Sequence, residues 1–263
     1  MGTRRPTTPR HALAHGRLTG PPPKAGIMTV TSSTVDFPRA IAAWAVAWVV
    51  GGGVLGAAVL AALGGSSGEP LTPIRLAAVA SVGWATMLIA VVAVARSAGT
   101  DTLTAVGLRG RIRPRDLWAA PAGVVTQLVV VPGAYLPLRA IWPETFAPER
   151  LSDTARDLVD AAAGAGLVLL VLVVVVGAPL VEEIVYRGLL QRSLASRVGG
   201  PSAVLVTSAL FALIHLRWVE FPGLLLAGLL FGLALQLTDR LGPAIIAHAA
   251  FNLTGLITVF VTG

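Results

Sequence analysis

Seven stretches of this chain, roughly 40–63, 76–95, 117–138, 159–181, 201–216, 222–237 and 243–261, are almost wholly apolar. A helix needs about 20 apolar residues to cross the hydrocarbon of a bilayer. In lipid a spanning backbone must satisfy its own hydrogen bonds, which leaves helices and closed barrels. Runs of this length predict an all-α, polytopic membrane bundle with about seven transmembrane helices. Charged residues make up 13% of the chain, about half the usual share in soluble domains. The fifth and sixth stretches are short, which suits helices shielded by neighbours rather than by lipid. Gly228 and Gly232 form a small-xxx-small pair that lets two helix backbones approach closely.

Residues 1–37 are polar, basic and rich in Pro, Thr and Gly, and are expected to remain a disordered tail ahead of a helical bundle over 38–263. The tail lacks the short apolar run and small-residue cleavage site of a secretory signal. Met28 lies just before the first span, so residues 1–27 are expected to be an upstream extension of the gene's reading frame, which the intact mass of the native protein would test. The chain has no cysteine, which excludes disulfides and thiol chemistry. Its net charge of +7 raises the question of nucleic acid. No basic patch is interleaved with aromatic residues, however, so no nucleic-acid partner is expected. The charge fits the basic cytoplasmic loops of a membrane protein instead. Placing the N-terminus inside assigns 15 of the 20 basic residues to the cytoplasmic side and leaves Arg75, Arg139, Arg150, Arg156 and Arg217 outside. This predicts an N-in, C-out arrangement. Lys24 is the one lysine, which with the Ala, Gly and Val bias fits a GC-rich bacterial genome.

Polar residues interrupt the apolar sequence at few places. An ionised side chain near the middle of a bilayer costs about 2.5–3.5 kcal/mol on insertion scales, so such residues point to function. Glu182 and Glu183 follow the run Leu167 to Leu180 directly. Neighbours on a helix point about 100° apart, so the two carboxylates cannot share one role. Glu183 lies four residues before Arg187, the favourable order for an ion pair. Glu182 has no local cation, and burial should make it the stronger base of the two. His215 follows Phe211 by four residues, and His248 precedes Asn252 by four, so each pair occupies one helix face. Small neighbours, Ala247, Ala249 and Ala250, leave room around His248, and Asn252 could hold a helix contact by hydrogen bonding. A carboxylate base, two imidazoles and an amide are the groups needed to activate water and stabilise an oxyanion. Glu182, His215 and His248 are also a ligand set for zinc with an open position for water. The His-Glu-x-x-His signature of helical zinc proteases is absent. Thr238-Asp239-Arg240 reads as a cytoplasmic turn rather than as part of a site.

The order Glu-Glu-x-x-x-Arg, Phe-x-x-x-His, His-x-x-x-Asn, with Arg187-Gly188 and the Thr-x-x-Leu-Gly-Pro turn before the last histidine, resembles the CPBP family. These are CAAX protease and bacteriocin-processing intramembrane proteases, related to the type II CAAX prenyl endopeptidases. The resemblance runs over 177–256; upstream, only the Gly107-Leu108-Arg109 region looks similar. It implies a helical intramembrane endopeptidase in the cell membrane, with its cavity open towards the cytoplasm. It further implies that Glu182 activates water together with His215, that His248 and Asn252 form the oxyanion hole, and that Glu183 and Arg187 support them. Family members have been described both as metalloproteases and as glutamate-dependent enzymes, and without the helical zinc signature no cofactor is expected to be required. The partners implied are the lipid bilayer and a peptide or membrane-protein substrate, such as a bacteriocin-like peptide, a signal-peptide remnant or a regulatory membrane protein. Two other readings stand beside this one: a non-catalytic scaffold or immunity protein, and a small transporter with a Glu/His proton relay. The transporter lacks support from any internal inverted repeat.

Overall fold

A computed structural model describes residues 1–2, 35–66, 68–108 and 112–262. The disordered tail expected over 1–37 lies almost wholly outside the described residues, as does Arg109. Among the described residues there is no strand. Six helices are long and apolar enough to cross a membrane: α1 (Phe37–Ala62), α2 (Pro73–Ser97), α3 (Pro114–Ile141), α5 (Ala165–Val198), α7 (Phe221–Thr238) and α8 (Leu241–Thr262). The remaining predicted span is α6 (Gly200–Leu213), an apolar helix of 14 residues and too short to cross alone. Between α3 and α5 lies α4 (Pro148–Asp160), an amphipathic helix with no buried residue.

Local sequence sets most of the helix starts. Pro73, Pro114, Pro148, Pro201 and Pro222 each sit in a first turn, where a missing N–H costs nothing. The Thr72 hydroxyl caps α2 by accepting from the Arg75 N–H. Asp239 ends α7 in the left-handed conformation (φ 52°), which Asp tolerates better than most residues. α5 is the longest element, at 34 residues. Its stretches Leu172–Gly177 and Glu183–Gln191 are wound as wider π turns, a winding that recurs at functional sites.

Chain direction alternates through the bundle and defines two ends. At one, Arg197 pairs with Asp36 at 2.5 Å, Arg192 with Asp239 at 2.8 Å, and Arg240 forks onto the Asp116 carboxylate at 2.6 and 2.7 Å. This basic end gathers the start of α1, residues 98–108 and 112–113, the α5–α6 junction and the Asp239–Arg240 turn, the last outside the site as expected. At the other end Arg75 donates to the carbonyls of Leu63 and Gly64, Arg217 contacts Thr154, and Tyr135 donates to the Val219 carbonyl at 2.6 Å. This acidic end gathers 63–66, 68–72, 142–164 and 214–220.

The core is asymmetric along the bundle axis. From Val185 to Leu194 every residue of α5 is buried, packed with Val94, Ala95, Val106, Leu241 and Ile245. Towards the acidic end the same helix exposes Val168, Leu172 and Val176. Many side chains on the outer faces are large, apolar and exposed, including Val49, Val54, Ile89, Leu128, Leu205 and Ile257, as a lipid-facing surface requires.

Gly228 behaves as the small-xxx-small spacing predicts: a Cβ there would lie 3.0 Å from Ser208 on α6. Gly123 is tighter still. A Cβ at that position of α3 would fall 2.2 Å from the Ala247 carbonyl oxygen of α8. Because the obstacle is backbone, Gly123→Ala must push α3 and α8 apart. The expected result is a loss of about 1–3 kcal/mol or more of stability, read as a lower unfolding midpoint in detergent.

Candidate functional site

The residues singled out by spacing come together around one cavity of about 330 Å³ inside the bundle. Glu182 reaches it from α5, His215 from the turn after α6, and His248 and Asn252 from α8. Phe211, Phe231, Phe251, Trp84, Leu76 and Leu158 supply much of its apolar wall. Glu183 and Arg187 do not line it; they stand behind His248, both with side chains fully shielded from solvent.

The predicted ion pair is present: Arg187 Nη1 lies 3.1 Å from Glu183 Oε1. Arg187 also donates to the Gly228 carbonyl at 3.0 Å, and its guanidinium sits 4.7 Å from the centre of the Phe211 ring and 5.4 Å from that of Phe231. The buried cation therefore meets a carboxylate, a carbonyl and two π faces, each of which stabilises positive charge away from water. One turn along, Gln191 repeats the hook by donating to the Gly232 carbonyl at 3.0 Å. The Gly228–Gly232 spacing thus presents two backbone acceptors as well as a close packing face.

Sequence spacing missed the second partner of Glu183. Its Oε1 also lies 2.9 Å from Nδ1 of His248, 65 positions away. An ionised carboxylate can only accept, so His248 carries hydrogen on Nδ1 and turns Nε2 towards Glu182, whose Oε2 is 3.8 Å away. The two glutamates thus serve one imidazole from opposite sides. Phe231 stacks on that ring, with centroids 4.3 Å apart and planes 14° from parallel, and Phe211 meets it edge-on. Phe231 was invisible in the sequence because an apolar residue in an apolar helix carries no signal.

His215 is oriented in a similar way. Its Nδ1 donates to the Phe211 carbonyl at 2.7 Å, which leaves Nε2 without the hydrogen in the neutral ring. Phe211 packs edge-on against this ring too, 4.9 Å between centroids. Asn252 makes the helix contact foreseen for it: Nδ2 donates to the Val174 carbonyl at 2.8 Å and ties α8 to α5. In the turn that carries His215, Glu220 pairs with Arg217 at 2.5 Å. Burial nonetheless outweighs Arg217 and His215 and holds the Glu220 carboxyl above the ordinary carboxylate range.

Among the described residues, no group of three or more His, Asp or Glu side chains is arranged to hold a metal ion. Glu182, His215 and His248 share a cavity but not the spacing of a ligand shell.

Residues 164–254 match the family model described as Type II CAAX prenyl endopeptidase Rce1-like. The match covers the three motifs and starts one residue before α5. The match agrees with the motif order and supports, at family level, an intramembrane CAAX-type endopeptidase. Comparison with curated proteins and with solved structures gives no match.

Proposed function

We propose that this protein is an intramembrane endopeptidase that cleaves a peptide or protein held at the membrane, using water activated by Glu182 and His215. The observation that carries the proposal is the meeting of Glu182, His215, His248 and Asn252, drawn from three separate parts of the sequence, on one apolar-walled cavity. Glu182 is the one carboxylate of the pair that reaches this space, with 21% of its side chain exposed against none for Glu183. In the proposed reaction Glu182 takes a proton from water as the oxygen attacks the scissile carbonyl. It then returns the proton to the departing amine. His215 Nε2 is the second acceptor for that water. Where the carbonyl oxygen becomes negative, Asn252 donates the second hydrogen of Nδ2 and His248 donates Nε2–H as the imidazolium, its Nδ1–H held by Glu183. Glu183 is a positioning residue, setting the ring of His248, and Arg187 holds Glu183.

The test is cleavage of a membrane-inserted peptide by the purified chain in lipid vesicles, with products identified by mass. His248→Gln keeps the size of the side chain but loses the Glu183–imidazole–cavity relay. It is expected to slow cleavage by about 10²–10³-fold, the scale of losing an oxyanion donor. Cleavage at the wild-type rate by this variant would refute its role. The proposed water activation needs no metal. Activity that survives exhaustive chelation supports this, whereas loss that zinc restores would recast Glu182, His215 and His248 as ligands. A chain with no hydrolytic activity, whose cellular effect survives both Glu182→Ala and His248→Ala, would be a scaffold.

A further inference from the structure

We infer that Trp84 is the specificity-determining residue of the cavity: its indole sets an upper limit on the size of the substrate side chain beside the scissile bond. The inference rests on the peptidase reading and deepens it.

One face of α2 and one face of α5 border the cavity together. Leu76, Ala80 and Trp84 follow one another at intervals of four along α2, and Val174, Ala178 and Glu182 do so along α5. Residues at this spacing share a helix face, and each trio covers about 12 Å at 1.5 Å per residue. That is the reach of about three to four residues of extended chain. The two faces offer such a segment apolar contact along its length and a carboxylate at its end.

The indole stands close to that carboxylate. A Cβ at Gly177 would fall 2.4 Å from Cη2 of Trp84 and 2.5 Å from its Cζ3, so the edge of the ring rests directly on the backbone of α5. Gly177 precedes Glu182 by five residues, about 7–8 Å along the helix. An extended chain covers that distance in about two residues. A substrate with its scissile carbonyl at Glu182 therefore presents its first or second neighbouring side chain to the indole.

The phenylalanines of the wall are fixed by the imidazoles and by one another. Phe231 stacks on His248 and meets Phe251 edge-on at 6.0 Å, and Phe211 packs edge-on against His215, His248 and Phe231. Trp84 is seated on a glycine instead, so its place in the wall depends on the missing side chain at 177. The cavity of about 330 Å³ lies at the small end of the range for ligand sites, about 300–1,000 Å³. Substrate backbone, water and side chain share this space, and the indole decides how large a side chain it admits.

The test uses the full chain in lipid vesicles and one membrane-inserted peptide whose cleavage position has been found by mass with the wild type. Ala, Leu or Phe is then placed at the first and second residues on each side of the bond. At one of these positions the wild type is expected to cleave the Phe peptide more slowly than the Ala peptide by about 10-fold or more in kcat/KM, the scale of misfit in an apolar pocket. Trp84→Ala is expected to raise the Phe-to-Ala ratio at that position by about 10-fold. Gly177→Ala, which pushes the indole off its seat, is expected to lower the ratio, and the double variant Trp84→Ala/Gly177→Ala should show the preference of Trp84→Ala. Damage to the fold slows all peptides in proportion and leaves the ratios alone. A Trp84→Ala variant with wild-type ratios at all four positions, whatever its absolute rate, would overturn the inference and leave the peptidase reading standing. Failure of the wild type to cleave any membrane-inserted peptide would defeat the peptidase reading and the inference with it.

Discussion

Glu182→Gln is expected to lower the rate of peptide cleavage by about 10²–10⁴-fold, the range assigned to a positioned general base. Its unfolding midpoint should stay at that of the wild type. The two halves of this expectation come from the same geometry. Glu182 faces the cavity, and His248 Nε2 stands 3.8 Å from its carboxylate, beyond hydrogen-bonding distance. Glutamine keeps the shape, and its amide has no basic oxygen able to take a proton from water. The fold has little to lose by the exchange. Glu182→Asp keeps the charge but withdraws it by one methylene, and should fall between glutamine and wild type. A glutamine variant that cleaves as fast as wild type would remove Glu182 from the chemistry. One that also melts early would mean that the loss of activity reflects damage to the fold.

Arg187→Met should have the opposite profile, with stability falling first. Methionine fills much of the same volume but leaves Glu183 as a fully buried carboxylate without its cation. Breaking a buried pair in this way costs about 3–5 kcal/mol, because the remaining charge is uncompensated. The variant also loses the bond to the Gly228 carbonyl that joins α5 to α7. Unfolding followed in detergent measures the loss. The double variant Glu183→Gln/Arg187→Met carries no buried charge at this place and should recover a good part of the stability. Cleavage should stay low in both, since the carboxylate no longer sets the ring of His248. Equal stability of the single variant and the wild type would show that the pair is not what holds this level of the bundle.

The sequence carried the membrane-bundle class because apolar length is a direct requirement of the bilayer, and six helices meet it. It also pointed to the candidate residues Glu182, His215, His248 and Asn252, which meet on one cavity, because ionisable groups within such runs demand a reason. Its errors follow from physics that spacing does not report. The fourth span was expected to end at 181, where charge begins. In the structure α5 continues to Val198, because Glu183 is met by Arg187 and His248 and no longer demands solvent. The i,i+4 rule found the Arg187 partner and had no means of finding the His248 partner, which depends on how α8 packs. The fifth stretch was expected to be short and shielded by its neighbours. It is a 14-residue helix, with Ser208 packed against Gly228 of its neighbour.

A hydrolase inside a membrane faces a conflict between admitting water and preserving the barrier to ions. The closed half of α5 resolves it. Beyond Glu182 and the Phe211 ring that lines the cavity lie the guanidinium of Arg187, the Tyr186 ring and the amide of Gln191, all buried. With Arg187 paired to Glu183 and rings packed around the pair, this layer offers water and ions no path through. The cavity is thus a blind well rather than a channel. The membrane holding this protein should keep its electrical insulation while peptide bonds are cut within it.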